Sequence, residues 1–271
     1  MRTVVITGGT DGMGAALVRH HLGAGDRVVV IGRSRAKFDT LRGTATGEAA
    51  GRAEFLGADL SSVAENRRVI ERLRADHERI DVLVLAASFI RQRRHVTLEG
   101  REASWVLFFV SKYLFVTGLA DLLRAAERPI VVNTAVPGAR AGAIDFDDLE
   151  LSRGFTFARS NAQQRRANEL LGLLAVTRNP DLAYVTWGPA RLVRSSFAGE
   201  VGFAMKLGAT VFGRLAGQHP DAAVAPIIAL IDDPVPGRNA YRGPKRRPLV
   251  TGPDDRAAIT RLAEAVDGSL V

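Results

Sequence analysis

The run "TVVITGGTDGMG" at residues 3–14 decides the fold. Its first half, "TVVIT", is β-branched throughout, the composition of a strand buried on both faces. Its second half sets Gly8, Gly12 and Gly14 in the spacing T-G-x-x-x-G-x-G, with Thr10, Asp11 and Met13 between them, and leads into the helical pattern "AALVRHHL". Glycine at those positions permits a tight turn and a close approach of the backbone to a ligand. The helix that follows offers unpaired N–H groups and the positive end of its dipole to an anion. Strand, glycine turn and helix in that order make a pyrophosphate-binding unit, so these residues are expected to hold a dinucleotide.

The same rhythm continues outward. Apolar runs recur at 2–8, 26–33, 53–59, 80–88, 128–135 and 182–188, with helical patterns near 12–24, 35–43, 62–78, 98–126 and 160–178. The last helix should stop before Pro180, whose ring cannot continue it. A longer segment, 189–218, then an apolar helix near 220–232 and a short strand at 238–242 complete the pattern. Alternation of this kind predicts an α/β fold, a Rossmann-like doubly wound parallel sheet, with a small substrate lid at about 190–218. With 271 residues, 46% of them hydrophobic, residues 1–271 are expected to form a single domain.

Composition narrows the function. The absence of cysteine excludes disulfides, zinc–thiolate sites and thiol nucleophiles. No apolar signal segment precedes the first strand, so a cytoplasmic location is expected. The formal charge of +8 comes mostly from arginine, since lysine occurs only at Lys37, Lys112, Lys206 and Lys245. The basic runs "RQRRH" (91–95) and "PKRRP" (244–248) carry no interleaved aromatics, and no nucleic-acid partner is expected. The apolar stretch 105–123 has Lys112 at its centre and Asp121 near its end, which reads as a buried or subunit-interface helix rather than a membrane span. Lys112 is then expected to snorkel at such an interface, in preference to acting as an interior base. A homo- or hetero-oligomer built on helices 98–126 and 160–178 fits that reading. No H-E-x-x-H or G-x-S-x-G occurs, and no metal is expected. His20, His21 and His77 read as surface residues, His95 as a loop residue on the cofactor side, and Asp145, Asp147 and Asp148 as a loop cap.

The end of the second strand selects between nucleotides. An acid there would accept from a ribose 2′-hydroxyl, whereas Arg33 and Ser34, with Arg35 or Lys37 nearby, suit a 2′-phosphate and point to NADP (NADPH).

"TGGTDGMG", "GRS", "GADLSS" and "IDVLVLAAS", in that order and spacing, resemble the short-chain dehydrogenase/reductase family over essentially the whole chain. "TLEGREASWVLFFVSKYL", "AIDFDDLELSRGF" and "AYRGPKRRPL" are most similar to its retinol-dehydrogenase-like branch. The resemblance implies that Asp59, with Leu60 beside it, contacts the adenine. It also implies that Ala86 and Ala87 line the adenine ribose, and that Pro189, where the family has P-G, borders the cofactor.

The family's tetrad of Asn, Ser, Tyr and Lys is not kept. Lining up "ANELLGLLA" puts Asn161 at the tyrosine position and Arg165 at the lysine position. The serine falls on Ala135 or Val136, with Thr134 the nearest hydroxyl, and the helix asparagine is Ser111. An asparagine amide has no proton to surrender near neutral pH. No tyrosine lies between Tyr113 and Tyr184, and no lysine between Lys112 and Lys206, so a shifted alignment restores nothing. Arg165 can hold the nicotinamide ribose but cannot transfer a proton. Asn161, Gln164 and Ser111 can orient a polar substrate or stabilise an oxyanion. Tyr113 is the only phenol near, but two residues from Ser111 it should face another way. The candidate catalytic residues are therefore Asn161, Arg165, Ser111, Thr134 and Tyr113. The apolar lid segment implies a bulky, largely apolar small-molecule substrate, and Arg91, Arg93 and Arg94 at the same mouth imply an anionic tail or an acidic carrier. The expected function is an atypical NADP(H)-dependent oxidoreductase. A non-redox cyclase, isomerase or dehydratase, or a catalytically silent binding or partner subunit, stands as the alternative.

Overall fold

In a computed structural model, residues 1–45, 47–191, 193, 199–200 and 217–269 are described. The chain runs β1 (Thr3–Thr7), α1 (Gly12–Gly23), β2 (Arg27–Gly32), α2 (Arg35–Gly43), β3 (Ala53–Gly57), α3 (Val63–Asp76), β4 (Val82–Leu85), β5 (Ile90–Arg91) and α4 (103–124). It continues through β6 (Ile130–Asn133), α5 (Phe157–Arg178), β7 (Ala183–Gly188), β8 (Gly199–Glu200), α6 (Pro220–Asp232), β9 (Gly237–Arg242), β10 (Lys245–Arg247) and α7 (Asp255–Ser269). Eight strands form the main sheet in the order β10-β9-β7-β6-β4-β1-β2-β3, parallel except for the antiparallel edge strand β10. β5 and β8 pair separately.

Period-2 alternation divides the strands between two apolar layers. Val4 and Ile6 of β1, Val28 and Val30 of β2, and Val82 and Val84 of β4 meet Leu17 of α1, Phe38 of α2 and Ile227 of α6. Val5, Val29 and Leu83 meet Leu73 of α3, Phe109 of α4, Leu171 of α5 and Leu262 of α7. Because β1 lies between β2 and β4, connections leave it toward opposite sides, and a crevice opens beyond the carboxyl ends of β1 and β4.

The structure departs from the sequence reading where side chains replace ladder bonds. β4 ends at Leu85 rather than at 88, because Thr7 Oγ1 accepts from the N–H groups of Ala86 (3.0 Å) and Ala87 (3.2 Å). α4 begins at Ala103, not 98: Gly100 turns at φ +75° and Glu102 caps the N–H groups of Ser104 and Trp105. α5 starts at Phe157, capped by Thr156, so residues 160–165 lie within it. β10 and α7 are additions to the predicted elements. His21 and His77 are buried rather than surface residues, His21 Nδ1 meeting Asp26 at 2.9 Å. Most of the segment 190–218, expected as a lid, lies outside the described residues.

α7 is fastened to α5 by Arg166, which is 1% exposed and pairs with Glu169 (3.4 Å) and Asp255. Removing one partner of a buried pair strands the other charges. Arg166→Ala is expected to lower unfolding stability by about 3–5 kcal/mol in a urea titration; a loss near zero would mean that α7 is not anchored this way.

Candidate active site

Gly8 and Gly12 adopt φ values of +70° and +51°, the left-handed region open to glycine. At Gly14 a Cβ would sit 2.2 Å from the Gly8 carbonyl oxygen, and at Gly8 it would sit 2.7 Å from the Ala87 Cα. The turn after β1 is therefore packed backbone to backbone, and Thr7 latches it to the end of β4. Asp11 caps α1 through the Gly12 N–H (2.7 Å) and pairs with Lys37.

Around this turn lies a cleft of about 760 Å³. It gathers every residue that the sequence pointed to for the cofactor except Pro189 and Arg165. Asp59 Oδ1 accepts from the Ser61 N–H (3.0 Å) and hydroxyl (2.7 Å). Burial pushes its carboxyl pKa up, but the Ser61 bonds and the fields of Arg33 and Arg91 outweigh this and hold it below the usual range. Ser34 caps α2 through the Lys37 N–H. The Arg33 guanidinium is exposed and lies 4.6 Å from the Phe89 ring centroid, and the Arg91 guanidinium lies at the same distance from that ring. No described carboxylate bonds to Arg33. Pro189, half-buried after β7, is not among the residues that line the cleft.

A second cleft, of about 390 Å³, adjoins the first at Ala87, Ser88, Ile90 and Arg91. It receives Asn161, Arg165 and Thr134. Asn161 is exposed at its rim. Arg165 donates to the carbonyls of Val136 (2.7 Å) and Pro137 (2.8 Å), so it holds the loop after β6, and burial lowers its pKa. Glu169 braces the same loop by accepting from the Gly138 and Ala139 N–H groups. The Thr134 hydroxyl donates to the Leu85 carbonyl (3.1 Å).

Two candidates are not brought to this cleft. Ser111 is buried within α4 and does not line it. Tyr113 packs in the core and donates to Asp267 of α7 (2.9 Å), and burial with that carboxylate raises its pKa. Of the arginines at the mouth, Arg91 alone lines the cleft: Arg93 is exposed, and Arg94 donates to the Glu150 carbonyl. His95 is exposed and lines neither cleft. Asp148 caps its loop through Ser152 and Arg153, as expected.

Lys112 corrects the expectation of an interface lysine. It is 4% exposed, lines the second cleft, and donates from Nζ to Asn133 Oδ1 at 2.8 Å. Asn133 in turn donates to Asn168 Oδ1 (2.7 Å) and Tyr184 Oη (2.8 Å). Asn168 reaches back to the Phe108 carbonyl of α4. The reason is a π turn over Val106–Val110, which adds a residue to that turn of α4 and shifts the face of everything after it. Burial pushes the Lys112 amine down to about 7. The polar residue Asn133, set in the apolar run "IVVNTAV", is the sequence signal that a buried partner awaits it.

The fold, with a glycine-lined crevice at its switch point, is of the Rossmann type. The short chain dehydrogenase profile matches residues 2–144, and the chain belongs to that family of oxidoreductases. A Streptomyces sp. (strain C5) protein provisionally named as a daunorubicin C-13 ketoreductase is 28% identical over 192 residues, 70% of this chain and 66% of that protein. Retinol dehydrogenase 13 of Mus musculus is 28% identical over 151 residues, 55% of this chain and 45% of its own length, which supports the retinol-dehydrogenase-like branch. The chain thus spans between about half and two thirds of these relatives. The short-chain dehydrogenase from Sphingobium yanoikuyae in complex with NADPH shares the fold, with TM-score 0.64 and 19% identity over 99% of this chain and 95% of that one. Among the described residues no helix is long and apolar enough to cross a membrane.

Proposed function

We propose that the chain is an NADP(H)-dependent oxidoreductase that acts on a bulky, largely apolar small molecule and handles its proton without the Tyr/Lys pair. The observation that carries this reading is the glycine cradle, where neither Gly8 nor Gly14 has room for a Cβ, set beside a β2 end that presents Arg33, Ser34 and Lys37. These residues fit the dinucleotide. Gly8 to Gly14 and the start of α1 would hold its pyrophosphate, Asp59 its adenine, and Arg33 with Ser34 its 2′-phosphate. When bound, the reduced dinucleotide supplies a hydride.

Lys112 supplies what the tetrad lacks. Asn133 orients its Nζ, and a pKa near neutrality lets the ammonium give a proton to a substrate oxygen and the amine take one back. Arg165 holds the Val136–Pro137 loop that forms the cleft wall, and Asn161 offers a neutral amide at its rim. Ile90, Phe108 and Phe157 give that wall apolar surface.

The test of the cofactor is Arg33→Asp. NADPH affinity, followed by the emission of the bound reduced dinucleotide, should fall at least about tenfold while NADH affinity holds or improves. Wild-type protein that binds NADPH and NADH equally would sink the 2′-phosphate reading.

A further inference from the structure

Arg91 is a buried cation whose hydrogen bonds are incomplete. It is 8% exposed, and its Nε and Nη1 have no partner among the described residues. Three carboxylates act on it only through their fields: Glu200, Asp59 and Glu102. Asp59 is bonded to Ser61, and Glu102 caps α4. A guanidinium does not escape burial by deprotonating, so two orphaned N–H groups call for an acceptor.

The position of Arg91 says which kind. It lies where the two clefts join, and its orphaned Nε–H and Nη1–H, on different edges of the planar guanidinium, can each receive an oxygen of an oxyanion. The second cleft also carries Lys112, Arg165 and Arg242, and among its described lining residues there is no Asp or Glu. A dinucleotide's pyrophosphate already has the glycine turn and the start of α1. Ile90, Phe108, Val136 and Phe157 add apolar surface among neutral polar side chains.

We propose that Arg91 is the receptor for a carboxylate on the substrate, so that the cleft takes an apolar molecule with an acidic end. This rests on the oxidoreductase reading above and names the substrate class for that site. The dinucleotide's own phosphates are the competing source of an oxyanion.

Decanoate and decanol serve as probes, titrated calorimetrically into full-length protein with and without saturating NADP⁺. Wild-type protein is expected to bind decanoate at least about tenfold more tightly than decanol. Arg91→Met should abolish that ratio and leave NADP⁺ affinity within about twofold, Arg91→Lys should keep part of it, and Arg93→Met, at an exposed position, should leave it unchanged. Equal binding of the two probes, or binding of neither, overturns the proposal. So does an Arg91→Met protein that loses NADP⁺ affinity and keeps the probe ratio, because the guanidinium would then belong to the cofactor. Wild-type protein that ignores NADP⁺ yet still prefers decanoate would overturn the nucleotide reading and leave Arg91 as the anion receptor.

Discussion

Lys112→Met is expected to give a protein that is more stable than the wild type at pH 7 and at least about a hundredfold less active. Both effects follow from one buried amine. A lysine held at about 7 instead of 10.5 carries a desolvation cost of roughly 3–5 kcal/mol near neutrality, since each unit is worth about 1.4 kcal/mol. The sign follows from proton counts. Below pH 7 both folded and unfolded chains hold the proton and the full cost is present. Between about 7 and 10.5 the unfolded chain holds a proton that the folded chain has released, so wild-type stability rises with pH. Methionine has no such proton and fills similar apolar space. Asn133 Oδ1 keeps the Ala135 N–H as a donor in the variant, so no acceptor is stranded. Denaturant titrations at pH 7, 8, 9 and 10 should show the variant's advantage shrinking as pH rises. The lost activity reflects general acid–base catalysis, worth about 10² to 10⁴. A variant that is less stable at every pH, or one that still turns over, would remove Lys112 from the chemistry.

A pair of features that one sequence cannot reveal hid that residue. Helical counting from Leu107 or Phe109 assumes 3.6 residues per turn, and the π turn at Val106–Val110 breaks the count just before Lys112. Its partner Asn133 lies on β6, across the sheet from any local pattern. The nucleotide cleft was legible for the opposite reason. Gly8, Gly12 and Gly14 are separated by at most four positions, and their chemistry is fixed by backbone sterics within one turn. Arg33 and Asp59 stand at strand ends whose positions follow from the alternating pattern. Ser111 took its expected place from the family resemblance, and the π turn just before it carries it from that cleft into the core; Tyr113, the one nearby phenol, packs in the core as well. Arg91, one of three arginines in a loop, could not be told from Arg93 or Arg94 until the fold showed which of them was buried.

Among the described glycines, Gly14→Ala should be the most damaging single-methyl change. The added Cβ would meet the Gly8 carbonyl oxygen at 2.2 Å and the Gly9 Cα at 2.9 Å, both backbone atoms with no rotamer to give way. The turn cannot retreat, because Thr7 ties it to Ala86 and Ala87 and Asp11 caps the helix it opens. Relief therefore requires the start of α1 to lift, which pulls Ala15, Leu17 and Val18 from the layer beneath. Overpacking of this kind costs about 1–3 kcal/mol. It also displaces the N–H groups that would face the pyrophosphate. Dinucleotide affinity, by emission of bound NADPH, should fall at least about a hundredfold, with a lower melting temperature. Gly23→Ala, at the other end of α1 with nothing within 4 Å of its Cβ, is the control: it should bind normally and gain about 0.5–1 kcal/mol. Two arms separate the claims. A destabilised Gly14→Ala protein with unchanged NADPH affinity would confirm the packing and remove the dinucleotide from this turn, while normal stability would mean that the cradle is looser than its backbone contacts require.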